Sequence, residues 1–131
     1  AALNLSLAPA IDIPISSSIS EEIIKICLAL LNSTWSKCYL ELLCTVMGGG
    51  ALKIEASHVR QLLFPKLNHR QLQRLSKYGI TIAKRQKITP ELRNAIDATI
   101  LESFTDEESL LMQIRALLRK KLIERGAKYE L

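Results

Sequence analysis

Residues Ile23–Leu31 read IIKICLALL, apolar at every position but Lys25. As a helix, such a run has no polar stripe to turn to water. It is stable only where neighbours cover it on most sides. It is also too short to cross a bilayer, and Lys25 interrupts it. The cover must therefore come from the rest of the chain. At 131 residues and 48% hydrophobic, the chain can supply one core, and 1–131 reads as a single domain. Aromatic residues make up only 5%, so the core is expected to be aliphatic, mostly Leu and Ile. Glycine and proline are too sparse for a disordered chain.

Around this run the local signals favour helices. Ser20 can cap the first helix, with Glu21 and Glu22 in its first turn. Asn32-Ser33-Thr34 is a cluster of turn and cap residues. Beyond it Trp35, Tyr39, Leu42, Leu43 and Val46 form the stripe of a second helix, ended by Gly48–Gly50. The short link makes the two antiparallel neighbours. Ser57 can open a single helical turn, and Pro65 closes that segment. Asn68 can cap a helix over Arg70–Tyr78, with Gly79 as its left-handed stop. Thr89-Pro90-Glu91 is a strong helix start. Thr105-Asp106-Glu107-Glu108 has the pattern of a capping box. It opens a last helix over 106–125, which Gly126 ends.

Strand signals are weaker. Ile11, Ile13 and Ile15 alternate with polar residues or proline, and Pro14 marks an edge. Leu52 and Ile54 alternate with Lys53 and Glu55, and Ile80 and Ile82 alternate briefly. The sum is a helix-dominated α+β fold, with about five longer helices and two or three short strands.

Gly48-Gly49-Gly50 ahead of Lys53 resembles a phosphate cradle. A Walker loop, however, needs the lysine directly after the last glycine, then Ser or Thr, with a strand in front. Here Ala51 and Leu52 intervene and a helix precedes, so the helix dipole points the wrong way. The glycines read instead as a helix stop and chain reversal.

No G-x-S-x-G, H-E-x-x-H or Cys–His arrangement is present, so no catalytic residue is assigned. Cys27, Cys38 and Cys44 are odd in number with no C-x-x-C pair, which suits buried free thiols in a reducing cytoplasm. Their spacing with His58 and His69 fits no metal site. No membrane span is present. The opening AALNLSLAPA lacks the basic region of a secretory signal, and the missing initiator Met suggests a piece cut from a larger protein.

Charge is the most informative property. Residues 1–59 carry three bases and five acids, 60–93 nine bases and one acid, and 94–131 six bases and seven acids. All the excess positive charge lies in the central third, which is an electrostatic footprint for a polyanion. Arg70, Arg74 and Lys77 fall as neighbours on one helical face. Lys84-Arg85-Gln86-Lys87 reads as a basic loop able to reach a groove. Arginine suits guanine, and glutamine suits adenine, which draws notice to Gln71, Gln73 and Gln86.

Three segments carry a family likeness: LALLNSTWSKCYL (28–40), GGGALKIEASHVRQLLFP (48–65) and AIDATILESFTDEESLLMQI (95–114). In order and spacing the chain resembles the C-terminal, target-recognition part of adenine-specific DNA methyltransferases of restriction–modification systems. The family's cofactor loop and its Asn/Asp-Pro-Pro-Tyr/Phe loop are absent. The resemblance thus implies a DNA-reading part without catalysis or cofactor of its own. S-adenosylmethionine would belong to a catalytic methyltransferase domain N-terminal in the same parent chain. The expected partner is double-stranded DNA. The DNA-binding set is Lys53, Ser57, Arg60, Lys66, His69, Arg70, Arg74, Lys77, Lys84, Arg85 and Lys87, with Arg93 a further cation of the block. The alternative is a helical interaction module: Leu111, Ile114, Leu118 and Leu122 have the spacing for a homodimer through the C-terminal helix.

Overall fold

The computed structural model describes residues 2–4, 17–84 and 87–127. In chain order the elements are β1 (Ala2–Asn4), α1 (Ser17–Leu31), α2 (Thr34–Leu43), β2 (Thr45–Val46), β3 (Leu52–Lys53), α3 (Ala56–Arg60), β4 (Leu63–Pro65), α4 (His69–Lys84), α5 (Pro90–Leu101) and α6 (Glu107–Glu124). Five helices are of ten residues or more, and α3 is a single turn. The fold is helix-dominated α+β, as expected. The strands form two antiparallel pairs: β1 with β4, Leu3 facing Phe64, and β2 with β3, Val46 facing Leu52. The alternating run Ile11–Ile15 lies outside the described residues.

The core is aliphatic around one aromatic ring. Leu30, Leu62, Phe64, Leu75, Ile96 and Ile100 are fully buried, with Ala29, Ile82, Leu92 and Leu101 closing round them. Each such Leu or Ile contributes about 1.5–3 kcal/mol of transfer free energy. The helix α1 is the centre of this packing only in its C-terminal half. Ala29 and Leu30 are buried, but Ile24 is 64% exposed, so the run Ile23–Leu31 is not covered throughout. It starts at Ser17 rather than after Ser20, which places Glu21 and Glu22 beyond its first turn.

The joint between α1 and α2 is a network of short polar contacts. The Asn32 amide donates to Leu28 O at 2.8 Å, and the Ser33 and Ser36 hydroxyls donate to Leu30 O. These satisfy carbonyls that the end of α1 leaves open. Ser33 Oγ accepts from Ser36 N and caps α2. From α5, the buried Asp97 accepts from Thr34 N at 2.8 Å and Thr34 Oγ1 at 2.5 Å, and Arg115 of α6 donates to it at 3.3 Å. One carboxylate thus ties three helices together and completes the N-terminus of α2.

The expected second helix stops early. It ends at Leu43, and Cys44 is extended. The glycines then form the turn of the β2–β3 hairpin instead of stopping the helix. Met47 N donates to Ala51 O at 2.8 Å, and Gly50 N donates to Met47 O at 2.9 Å. Gly50 has φ +83°, and a Cβ there would run into the backbone oxygen of Arg125. This position needs glycine for its dihedral angle and for the close approach of the C-terminal end of α6. At that contact Arg125 donates to both oxygens of Glu41, at 2.6 and 3.0 Å, and to Gly50 O at 3.0 Å.

The last helix lacks the expected capping box. Asp106 occupies the cap position with no side-chain hydrogen bond. Its C-terminal end is as read: Gly126 has φ +73°, and Ala127 N donates to Leu122 O at 2.9 Å, a Schellman-type closure. Among the described residues no helix is long and apolar enough to cross a membrane.

Candidate nucleic-acid interface

The basic block centres on α4, and the sequence builds this helix with care. At its start Asn68 Oδ1 accepts from Gln71 N at 2.9 Å, and Gln71 Oε1 accepts from Asn68 N at 2.8 Å. That is a reciprocal box made by amides. Gln71 is fully buried, and its amide nitrogen goes on to donate to Thr99 O of α5 at 2.9 Å.

Gly79 does not end the helix. It lies in the interior of α4, which runs on to Lys84. A Cβ on Gly79 would overlap the backbone of Lys25 in α1, so the glycine serves close packing of two helices rather than a left-handed turn. Ile82, one turn on, is buried and rewards continuation. The Ile80–Ile82 alternation is therefore helical, and Lys84 belongs to the helix end rather than to a loop. Arg85 and Gln86 lie outside the described residues.

The longer helix changes the geometry of the cations. Gln71, Leu75, Ser76, Gly79 and Ile82 face inward. At 3.6 residues per turn, Arg70, Lys77 and Lys84 line up on the opposite side, spanning about 21 Å. All three are exposed, as is Gln73 beside them. From Ala56 to Pro90 the chain has no acidic residue. Among the described residues no ion pair engages Arg70, Lys77 or Lys84.

The expected DNA-binding residues divide into groups. Lys66, in the link from β4, and His69, at the first position of α4, are exposed and continue the α4 face in sequence. Lys87 is exposed just after the undescribed pair. Arg74 belongs to α4 but bonds to Glu102 at the end of α5. It braces α4 against α5 and is not a free member of the ridge. Lys53 pairs with Glu55 at 3.2 Å in the hairpin segment. Ser57 and Arg60 are exposed on α3, which packs on α2, whereas α4 packs on α1 and α5. Lys53, Ser57 and Arg60 thus ride on a different part of the framework from the α4 cations. His58 is engaged locally, its Nδ1 accepting from Glu55 N at 3.0 Å.

Other ionisable groups have structural roles. Burial pushes the thiols of Cys27, Cys38 and Cys44 up, and Glu41 adds to this for Cys38 and Cys44. Raised thiols are poor nucleophiles. Lys37 of α2 is half-buried; burial and the neighbouring Arg93 lower its pKa, and Asp97 partly offsets them. Sequence reading did not single out Lys37 or Arg115, because their setting is a junction of helices distant along the chain. It also missed the full length of the ridge. The spacing of seven from Arg70 to Lys77 to Lys84 was a usable signal, masked by Gly79.

No family model matches this chain, and no curated protein or solved structure is significantly similar to it.

Proposed function

We propose that the chain is a double-stranded DNA-binding, target-recognition module that presents α4 to the duplex. The observation that carries this reading is the outer face of α4. Arg70, Lys77 and Lys84 are exposed along it, with no acid of its own to neutralise them. Cations in such a row replace counterions along a phosphate backbone, and that release drives binding. The face is held firmly by the amide box, the Gly79–Lys25 contact and the Arg74–Glu102 brace. A preset surface loses less conformational freedom on binding.

The resemblance to adenine-specific DNA methyltransferases of restriction–modification systems gives the module a setting. It would work in the cytoplasm beside a catalytic domain of the same parent chain, and that domain would bind S-adenosylmethionine and transfer the methyl group. This chain's own part is DNA recognition, not catalysis.

The test is titration of a labelled mixed-sequence duplex across salt. We expect binding at low salt and log affinity that falls with log salt at a slope of about −0.9 per phosphate contacted. Absence of any bound complex at low salt and high protein concentration would end this reading.

A second reading is a protein-interaction module. Leu42, Val46, Met47 and Ile54, in and around the β2–β3 hairpin, are each at least 50% exposed, and such patches mark interfaces. The α6 stripe is less suited to a homodimer. Leu118 is buried within the chain, and Leu111 and Ile114 lie against the core. Concentration-dependent light scattering, with Met47→Asp as the disrupting variant, tests this alternative.

A further inference from the structure

We infer that Gln73 is the base-reading side chain of α4, recognising the adenine of an A·T pair in the major groove while Arg70 and Lys77 hold flanking phosphates. The inference rests on the DNA-binding reading and deepens it.

The structure separates amides that look equivalent in sequence. Gln71 is fully buried, with its oxygen accepting from Asn68 N and its nitrogen donating to Thr99 O and, at 3.4 Å, to Ser103 Oγ. Asn68 Oδ1 accepts in return from Gln71 N. Both amides are committed to holding the helix in place. Gln73 differs: it is exposed, and among the described residues it makes no hydrogen bond.

Its position is equally specific. Gln73 lies one turn after Arg70 and one turn before Lys77, near the middle of the outward face of α4. A glutamine has no charge to offer a phosphate, so at this place it adds little to sequence-independent affinity. It does carry a donor and an acceptor side by side, the pair that matches N6 and N7 of adenine. Cations positioning a helix, with an uncharged amide between them, are the division of labour expected of backbone contacts and base contacts. Thr81, on the same face, has its hydroxyl bonded to Lys77 O at 3.3 Å.

The experiment is selection of bound duplexes from a randomised pool at fixed salt, followed by sequencing, with wild type, Gln73→Ala and Arg70→Ala in parallel. Wild type should enrich an A·T pair at one position. Gln73→Ala should lose about tenfold of the preference at that position. Its preferences at other positions and its thermal unfolding should stay within error of wild type. Arg70→Ala should weaken binding to all sequences alike. An unchanged sequence profile for Gln73→Ala would overturn the inference. So would wild-type binding without any sequence preference, which would leave duplex binding standing and remove target recognition. If wild type binds no duplex at all, both fall together.

Discussion

The helices α4 and α6 are the two longest among the described residues, and each carries several basic residues, yet they handle charge in opposite ways. On α6, cations find acids nearby: Lys121 pairs with Glu124, Arg115 with Asp97, and Arg125, just past its end, with Glu41. On α4 there is no acid, and among the described residues Arg74 is the one cation of the helix that reaches a carboxylate, that of Glu102. These pairs at α6 hold the protein to itself. The basic charge of α4 faces outward. Net charge cannot make this distinction; pairing can.

The comparison breaks most sharply at the inner pairs. Arg125→Ala leaves Glu41, whose side chain is 5% exposed, without its bidentate partner. A loss of about 3–5 kcal/mol is expected, read from denaturant midpoints. The seat of α4 is next. Gly79→Ala forces a methyl against the Lys25 backbone, and we expect a cost of about 1–3 kcal/mol, with weaker duplex binding as the helix shifts. Third, exposed charges can be reversed on each helix in turn. Arg70→Glu with Lys77→Glu should lower duplex affinity at least about tenfold and flatten the salt slope by about two contacts. Lys120→Glu on α6 should change affinity by less than about twofold. Both variants should keep wild-type stability, since exposed positions contribute little to it.

The smallest effect concerns pH. The folded thiols of Cys27 and Cys38 titrate above their unfolded value because burial disfavours the thiolate. Their contribution to stability is therefore complete below the unfolded thiol pKa of about 8.5, and it is lost as pH rises through the folded values. Stability should fall on the alkaline side. Cys38→Ala should make that fall shallower in a urea titration at several pH values.

What the sequence disclosed follows the range of the interactions. Thr89-Pro90, Asn68 and Gly126 were legible because cap chemistry acts within a few residues. The helical character was legible because aliphatic periodicity reports it directly. Gly79 was misread because an interior glycine and a terminal one look alike until the partner backbone is known. The early end of α2 was hidden for the same reason: its stripe continues to Val46, but the hairpin takes that residue. The Thr105–Glu108 pattern matched a capping box in spacing, yet the chain at Asp106 does not adopt the geometry that would close it. At the candidate interface, composition marked α4 as basic. Only the packing showed that Arg74 is occupied, that Gln71 is inside, and that Lys84 extends the row.

The clasp formed by Arg125, Glu41 and Gly50 joins positions 84 and 75 residues apart in the chain. A ring of that length closes late, because its ends lose much freedom before any contact repays them. The hairpin and the final turn of α6 should therefore open and shut together, as one cooperative unit in amide exchange. A ligand seated on α4 would leave that exchange untouched; a protein partner gripping the hairpin would slow it.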